Sequence, residues 1–339
     1  MNVVWKYILC MGYVISLYCL EDIVPYKFTD QEINANKLDY QFPASARFTI
    51  NRFGEYNSDI VYYLSKPQKQ NYPIAICCTG SSSRDSVYSV IHFHRYFLQE
   101  FLDLGVAVVT VEQQGVDGNN VDMKEFWDHY TRSARLSDHE QWIDYLQQNP
   151  PVGWNGKVIL LGVSEGGPIV LSLTEKYADM VIATINWSGF GDWSWRDELW
   201  VFIEGIKKQG PWWLSCLAYV PSWVSCVPYI PKSRSDYDVC MDRALKNPTS
   251  QQDFMGMSLM YHADALRYPT VNYEQIKTPL LVVAGALDMI IDSADAFAMK
   301  AQAAGVNIIY FRVEDMDHYI RRRPDIVEQS FVWLEQYLK

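Results

Sequence analysis

The chain has 339 residues, 49% of them hydrophobic and 20% charged, which excludes wholesale disorder and leaves room for one large α/β domain with an insertion or for two smaller domains. Its formal net charge of −11 argues against nucleic acid as a partner, because phosphates would be repelled. Aromatic residues stand out, with 12 Trp and 23 Tyr, and they are unevenly spread.

Residues 1–20 combine Lys6, an uncharged run from Tyr7 to Leu20 and an abrupt polar edge at Glu21-Asp22. That pattern predicts a secretory signal peptide or an N-terminal anchor, and hence export to a secreted, periplasmic or envelope-associated location. The run is short for a membrane span, and no Ala-x-Ala marks a cleavage site. Of the seven cysteines, Cys10 and Cys19 fall in this leader and Cys77-Cys78 read as small buried residues at a strand end. Cys216, Cys226 and Cys240 lie later, and in an exported chain two of them are candidates for a disulfide whose pairing the spacing does not fix.

Residues 21–339 read as one domain. Alternation of apolar and polar residues predicts half-exposed strands over 46–53 and 60–65, joined by a turn-rich segment. A fully apolar strand over 73–78 leads into the loop Thr79-Gly-Ser81-Ser-Ser83. Apolar residues from Val87 to Leu102 recur at helical spacing, and Gly105 stands where a helix ends. A buried strand over 106–111, a polar loop to Asp122 and a helix over about 133–148 follow. Next come a strand ending at Val163, a helix over 168–177 and a strand over 181–187. The rhythm resumes with a strand over 280–284, a helix over 293–304, a strand over 307–311 and a terminal helix opened by Pro324. Two initial antiparallel strands followed by alternating strands and helices predict a mostly parallel central sheet with helices on both faces.

Between about 188 and 268 the alternation stops. Trp193, Trp195, Trp200, Trp212, Trp213 and Trp223 fall in that gap and Trp187 at its threshold, with Pro211, Pro221, Pro228 and Pro231 among them. An insertion that leaves the sheet there lies over the carboxyl edge, where ligands bind in open α/β sheets. It is expected to act as a lid. Most of its tryptophans are expected to build a satellite core, and some to line an acyl pocket or touch a membrane interface.

The chemistry is carried by the apolar run Val158-Ile-Leu-Leu161, which breaks into Gly162-Val-Ser164-Glu-Gly166-Gly167 before a helix. Strand, tight turn and helix with a serine at the apex is the context of a nucleophile elbow. Attack on an ester or amide carbonyl needs a nucleophile, a base and a carboxylate to orient the base. Ser164 is the candidate nucleophile. Asp288 follows the strand over 280–284 and His318 follows the strand over 307–311, so an acid and a base come in the order that an elbow requires. Asp292 lies four residues further on, in the next helix, and is the weaker acid candidate. Asp315 and Asp317 are too close to His318 in sequence to orient it.

In these motifs the chain resembles the α/β-hydrolase superfamily over nearly all of its length after the leader. Gly162-Val-Ser164-Glu-Gly166-Gly167 matches the superfamily's nucleophile motif, Gly285-Ala-Leu-Asp288 resembles its acid loop and Asp317-His318-Tyr319 its histidine loop. The resemblance implies a serine hydrolase or acyltransferase with Ser164, Asp288 and His318 as its triad. It also implies an oxyanion hole built from the N–H of Glu165 and one N–H of the loop Thr79–Ser83, Ser81 or a neighbour, although the His-Gly start common in lipases is missing there. The Glu165 side chain itself is expected to be structural.

His92, His94, His129 and His139 lack metal-ligand spacing and read as surface or structural histidines. His262, inside the insertion, reads the same way, with a contact to substrate as its alternative role. No zinc or phosphate-binding motif is present, and neither a cofactor nor a metal is expected. Arg321-Arg322-Arg323 reads as a solvated helix entrance with weak attraction for anionic headgroups. The expected function is cleavage of a carboxylic ester or thioester with an apolar acyl group, on a small-molecule or lipid-like substrate, with peripheral membrane contact through the lid. Acyl transfer to an amine or alcohol, peptide hydrolysis and a non-catalytic binding role on the same scaffold are the alternatives.

Overall fold

A computed structural model describes residues 46–54, 58–83, 87–189, 192–209 and 231–339. The expected leader, Trp212, Trp213, Trp223, Cys216 and Cys226 lie outside them. The frame is an eight-stranded sheet, numbered here β1 (Ala46–Asn51), β2 (Asp59–Ser65), β3 (Tyr72–Cys78), β4 (Ala107–Val111), β5 (Trp154–Val163), β6 (Val181–Trp187), β7 (Leu280–Gly285) and β8 (Ile308–Val313). The strand order is β1-β2-β4-β3-β5-β6-β7-β8. β2 runs antiparallel to both β1 and β4, and every pairing from β4 to β8 is parallel. The mostly parallel sheet read from the sequence is therefore present, with one feature that periodicity does not encode: the chain crosses over so that β4 lies between β2 and β3.

Side chains alternate across each strand, so the two faces of the sheet collect different residues. Ala75, Cys77, Ile159, Leu161, Ile185 and Val283 pack on one face, under helices α1 (Ile91–Tyr96), α2 (Leu98–Asp103) and the terminal helix Pro324–Glu335. Ile74, Ile76, Cys78, Val158 and Leu160 pack on the other. That second face is covered by Trp142, Ile143 and Leu146 of the helix Arg132–Gln148 and by Ile169, Val170 and Leu173 of the helix Gly166–Lys176. Each such aliphatic side chain contributes about 1.5–3 kcal/mol by leaving water. Helices are numbered on as α3 (Met123–His129), α4 (Arg132–Gln148), α5 (Gly166–Lys176), α6 (Trp195–Gln209), α7 (Arg234–Lys246), α8 (Leu259–Arg267), α9 (Ile291–Ala303) and α10 (Pro324–Glu335). Thr131 caps α4 by accepting from the Ala134 N–H, and Pro168 sits in the first turn of α5, where its missing N–H leaves no acceptor unpaired.

Two local expectations change. The single helix expected over 87–102 is split: Phe97 leaves helical geometry (φ −107°, ψ 8°) and turns its ring onto Trp187, with centroids 4.9 Å apart. Trp187 accordingly belongs to the main core, its indole N–H donating to Ser330 Oγ at 3.1 Å, and not to the insertion. Within the insertion, Trp195, Leu199 and Ile203 of α6, Tyr237 and Met241 of α7, and Leu259 and Tyr261 of α8 do form a satellite core, to which α3 adds Phe126.

Three histidines are buried in this frame. His94 contacts the hydroxyls of Ser65 (2.9 Å) and Thr110 (3.1 Å), and His139 Nδ1 meets the Arg135 carbonyl at 2.7 Å. His262 accepts from the Trp195 indole N–H at 3.1 Å and meets the Phe254 carbonyl at 2.8 Å. Both ring nitrogens of His262 are therefore occupied by structural partners. Burial, above all, lowers each of the three from 6.5 to about 4. As pH falls below 6.5 the unfolded chain takes up these protons and the native state does not, so stability declines between about pH 6.5 and pH 4. Urea midpoints measured from pH 7 to pH 4.5 should fall in that window. His94→Gln should make the fall shallower by roughly 1 kcal/mol per pH unit.

Candidate active site

Ser164 follows directly on the central strand β5 and has a positive φ of 52°. A non-glycine residue in that region costs on the order of 1–3 kcal/mol, and the surroundings hold it there. The Ser164 N–H donates to the Trp187 carbonyl at the end of β6 (3.0 Å), and its carbonyl accepts from the Gly167 N–H (2.9 Å). The flanking glycines permit the turn. A Cβ on Gly162 would stand 2.5 Å from the Gly166 carbonyl oxygen, and one on Gly166 would overlap the Cys78 carbonyl at the end of β3.

The two residues expected to partner Ser164 come from the ends of β7 and β8. His318 Nε2 lies 3.0 Å from Ser164 Oγ, and its Nδ1 lies 2.7 Å from Asp288 Oδ2. Asp288 is 7% exposed, and its second oxygen accepts from the Ile290 N–H at 3.2 Å. A carboxylate only accepts, so the proton of the neutral imidazole is assigned to Nδ1, leaving Nε2 to accept from the serine hydroxyl. Burial disfavours the imidazolium, but the Asp288 charge and hydrogen bond outweigh it and hold His318 above its ordinary 6.5. Asp317 does not orient His318: it accepts from the Tyr319 N–H (2.8 Å) and pairs with Arg322. Arg323 pairs with Asp315 and Asp325, and Arg321 and Arg322 stack on Tyr319, so the arginine run is held by local partners.

The loop after β3 lies beside the nucleophile. Gly80 lies against the serine: a Cβ there would be 3.2 Å from Ser164 Cβ. Ser82 is buried and its N–H donates to the Tyr130 hydroxyl at 2.8 Å, whereas Ser81, one residue earlier, is exposed.

Beneath the elbow lies a cluster that sequence reasoning missed. Glu165 is fully buried. Arg135 Nη1 donates to its Oε2 at 2.7 Å, Arg132 Nε to its Oε1 at 3.3 Å, and the Tyr130 hydroxyl to Oε2 at 2.7 Å. Tyr261, from α8 in the insertion, donates to Oε1 as well. Arg135 also donates to the carbonyls of Thr79 (2.6 Å) and Gly80 (3.3 Å). Burial first, then the Glu165 charge, holds the Tyr130 phenol protonated well above its usual range. The one advance signal was chemical: a carboxylate buried between the elbow serine and α5 demands buried cations, and Arg132 and Arg135 stand one helical turn apart on α4.

A family model described as serine aminopeptidase, S33, matches residues 90–320. The chain belongs to that family. As an S33 member it is a serine hydrolase of the α/β-hydrolase superfamily, and solved structures agree on the fold. A thermostable carboxyl esterase from Bacillus coagulans superposes with a TM-score of 0.56 at 15% identity, covering 87% of this chain and 98% of its own. A putative dipeptidyl aminopeptidase IV from Bacteroides ovatus superposes with 0.55 at 16% identity and covers 88% of this chain, which spans 36% of that longer protein. A 2,6-dihydroxy-pseudo-oxynicotine hydrolase gives 0.53 at 18% identity, with 91% and 73% covered. No curated protein matches the chain. Among the described residues no group of His, Cys, Asp or Glu is placed to hold a metal ion.

Removing the carboxylate shared by two buried guanidiniums leaves uncompensated charge beneath the elbow. Glu165→Ala should therefore cost about 3–5 kcal/mol of unfolding free energy, read from urea denaturation at pH 7. A change within 0.5 kcal/mol would mean that the cluster contributes little to stability.

Proposed function

We propose that this S33 family member hydrolyses a carboxylic ester or thioester with an apolar acyl group through an acyl-enzyme on Ser164. The observation that carries the proposal is the chain of contacts from Asp288 through His318 to Ser164, at 2.7 and 3.0 Å, ending on a serine at a positive-φ apex. In this reading His318 Nε2 takes the hydroxyl proton as Oγ bonds to the carbonyl carbon. The N–H groups of Glu165 and Ser81 hold the oxyanion. Nε2 returns the proton to the leaving alcohol or thiol as its bond to carbon breaks. Water then enters by the same route and frees the acid.

The tryptophan-rich segment between β6 and β7 supports an apolar acyl group, as a lid over the site and a surface for peripheral contact with lipid. The leader supports export. Peptide hydrolysis is the second reading, favoured by the family's description and by the aminopeptidase among its structural neighbours. A chain-length series of aryl esters and acyl thioesters, run beside aminoacyl and dipeptidyl anilides, separates the two. Faster turnover of the anilides would overturn the ester reading. Release of an amide or new ester with amines or alcohols present would show acyl transfer.

Ser164→Ala should lower kcat by on the order of 10⁴–10⁶ while the protein stays folded. A fluorophosphonate should label wild type at Ser164 and leave the variant unlabelled.

The pH dependence carries a sign. His318 must be neutral to accept the proton, and its pKa is held above 6.5, so kcat/KM should decline on the acid side with an apparent pKa above 6.5. Asp288→Asn removes the charge that raises it. That variant should move the acid limb to lower pH and reduce kcat on the order of 10³–10⁴-fold. An acid limb unmoved in Asp288→Asn would remove Asp288 from this role.

A further inference from the structure

We infer that Arg135 is a positioning residue that aims the second oxyanion donor, and that Glu165 ties both donors to one buried anchor. The inference rests on the acyl-enzyme reading of Ser164. Its physical basis is the geometry of the trans peptide, in which the carbonyl oxygen and the amide hydrogen of one unit point in opposite directions. Arg135 Nη2 donates to the Thr79 carbonyl and Nη1 to the Gly80 carbonyl. Those carbonyls share their peptide units with the N–H groups of Gly80 and Ser81. Holding both oxygens on the guanidinium therefore turns both N–H groups away from it, on a loop whose Gly80 abuts the Ser164 side chain. The guanidinium is fixed in turn, because Nη1 also donates to Glu165 Oε2 at 2.7 Å. Tyr130 repeats the link, donating to the same Oε2 and accepting from the Ser82 N–H. Glu165 supplies its own backbone N–H from the elbow. Both arms of the oxyanion hole are thus referenced to one carboxylate with no access to water.

An ammonium cannot reproduce this. The planar fork of arginine spans a carboxylate and two carbonyls at once, whereas lysine presents a compact point charge. Arg135→Lys keeps the charge beneath the elbow and loses the fork, and Tyr130→Phe loses the second link without changing charge.

The readout separates aim from stability. An alkyl trifluoromethyl ketone forms a hemiketal oxyanion on the serine, and the matching methyl ketone binds as a neutral ground-state mimic. Their inhibition constants are measured on wild type, Arg135→Lys, Tyr130→Phe and Arg52→Met, together with kcat and KM on an aryl ester and the melting temperature. Arg52, just past β1, bonds Asp138 of α4 and Ser58, so Arg52→Met reports the loss of a pair against α4 that has no bond to Glu165 or to the loop after β3.

The expected result for Arg135→Lys and Tyr130→Phe is a loss of about 10–100-fold in trifluoromethyl ketone affinity with a parallel fall in kcat. KM and the methyl ketone constant should stay within about 2-fold. Arg52→Met should lower the melting temperature and leave the ratio of the two ketone constants unchanged. If Arg135→Lys and Tyr130→Phe fold and keep the wild-type ratio, positioning by Arg135 is overturned while the nucleophile stands. If Arg135→Lys does not fold, Tyr130→Phe decides by the same ratio. If wild type is not labelled by a fluorophosphonate at Ser164, both the inference and the acyl-enzyme reading fall.

Discussion

A carboxylate one residue past the elbow serine, fully buried, has to be neutralised where it stands, and that requirement organises the surroundings of the site. Glu165 meets it with two guanidiniums from α4 and two phenols, one ahead of α4 and one from the insertion. Each of these groups brings its own segment of chain to the elbow. α4 is drawn to the base of α5, the loop after β3 is drawn to α4 through Arg135, and α8 is pulled down by Tyr261. A buried ion cluster is a doubtful source of net stability, because a hydrophobic substitute of the same shape can do as well. Its directional hydrogen bonds fix orientation, which an apolar contact would not.

The strained serine backbone needs that orientation. Its positive φ is sustained because β5 is central, flanked by β3 and β6, and both neighbours end at the elbow. The Trp187 carbonyl of β6 accepts the Ser164 N–H, and the Cys78 carbonyl of β3 closes on Gly166. Trp187 is itself locked by Phe97, Phe331 and Ser330 on the face under α1 and α10. Packing remote from the chemistry thereby sets the position of one N–H at the nucleophile. The same coupling accounts for the break between α1 and α2, where Phe97 gives up helical geometry to reach that indole.

The parts of this arrangement that depend on one-dimensional pattern were readable from the residues. Runs of β-branched and aliphatic side chains mark β3 to β8, and the strand ends place Ser164, Asp288 and His318 in register because parallel strands finish on a common edge. The crossover of β4 was not readable, since strand order follows from three-dimensional packing. Nor were the partners of Glu165. Tyr130, Arg132 and Arg135 lie 30 to 35 positions before it in sequence and Tyr261 lies 96 after it. None sits in a motif, and an arginine on an amphipathic helix is in most proteins solvated. What distinguishes Arg135 is that it is buried on α4 and, with Arg132, bonds Glu165 at the elbow. His262 shows the converse. It reads from the sequence as a structural histidine with substrate contact as the alternative, and both ring nitrogens are bound within the satellite core.

The insertion is joined to the elbow by more than contact. Tyr261 stacks on Tyr130, with ring centroids 5.3 Å apart, and both phenols donate to Glu165. Arg132 lies 4.4 Å over the ring of Trp195, which in turn donates to His262. A displacement of α6 or α8 would therefore move Tyr261 or Arg132 against a carboxylate whose other ligands orient the loop after β3. Groups that meet at a single buried charge cannot shift independently, because each lost hydrogen bond there leaves desolvated charge behind. Helices α6 and α8 and the loop after β3 are consequently one mechanical unit with the elbow, although they enter it from distant parts of the chain.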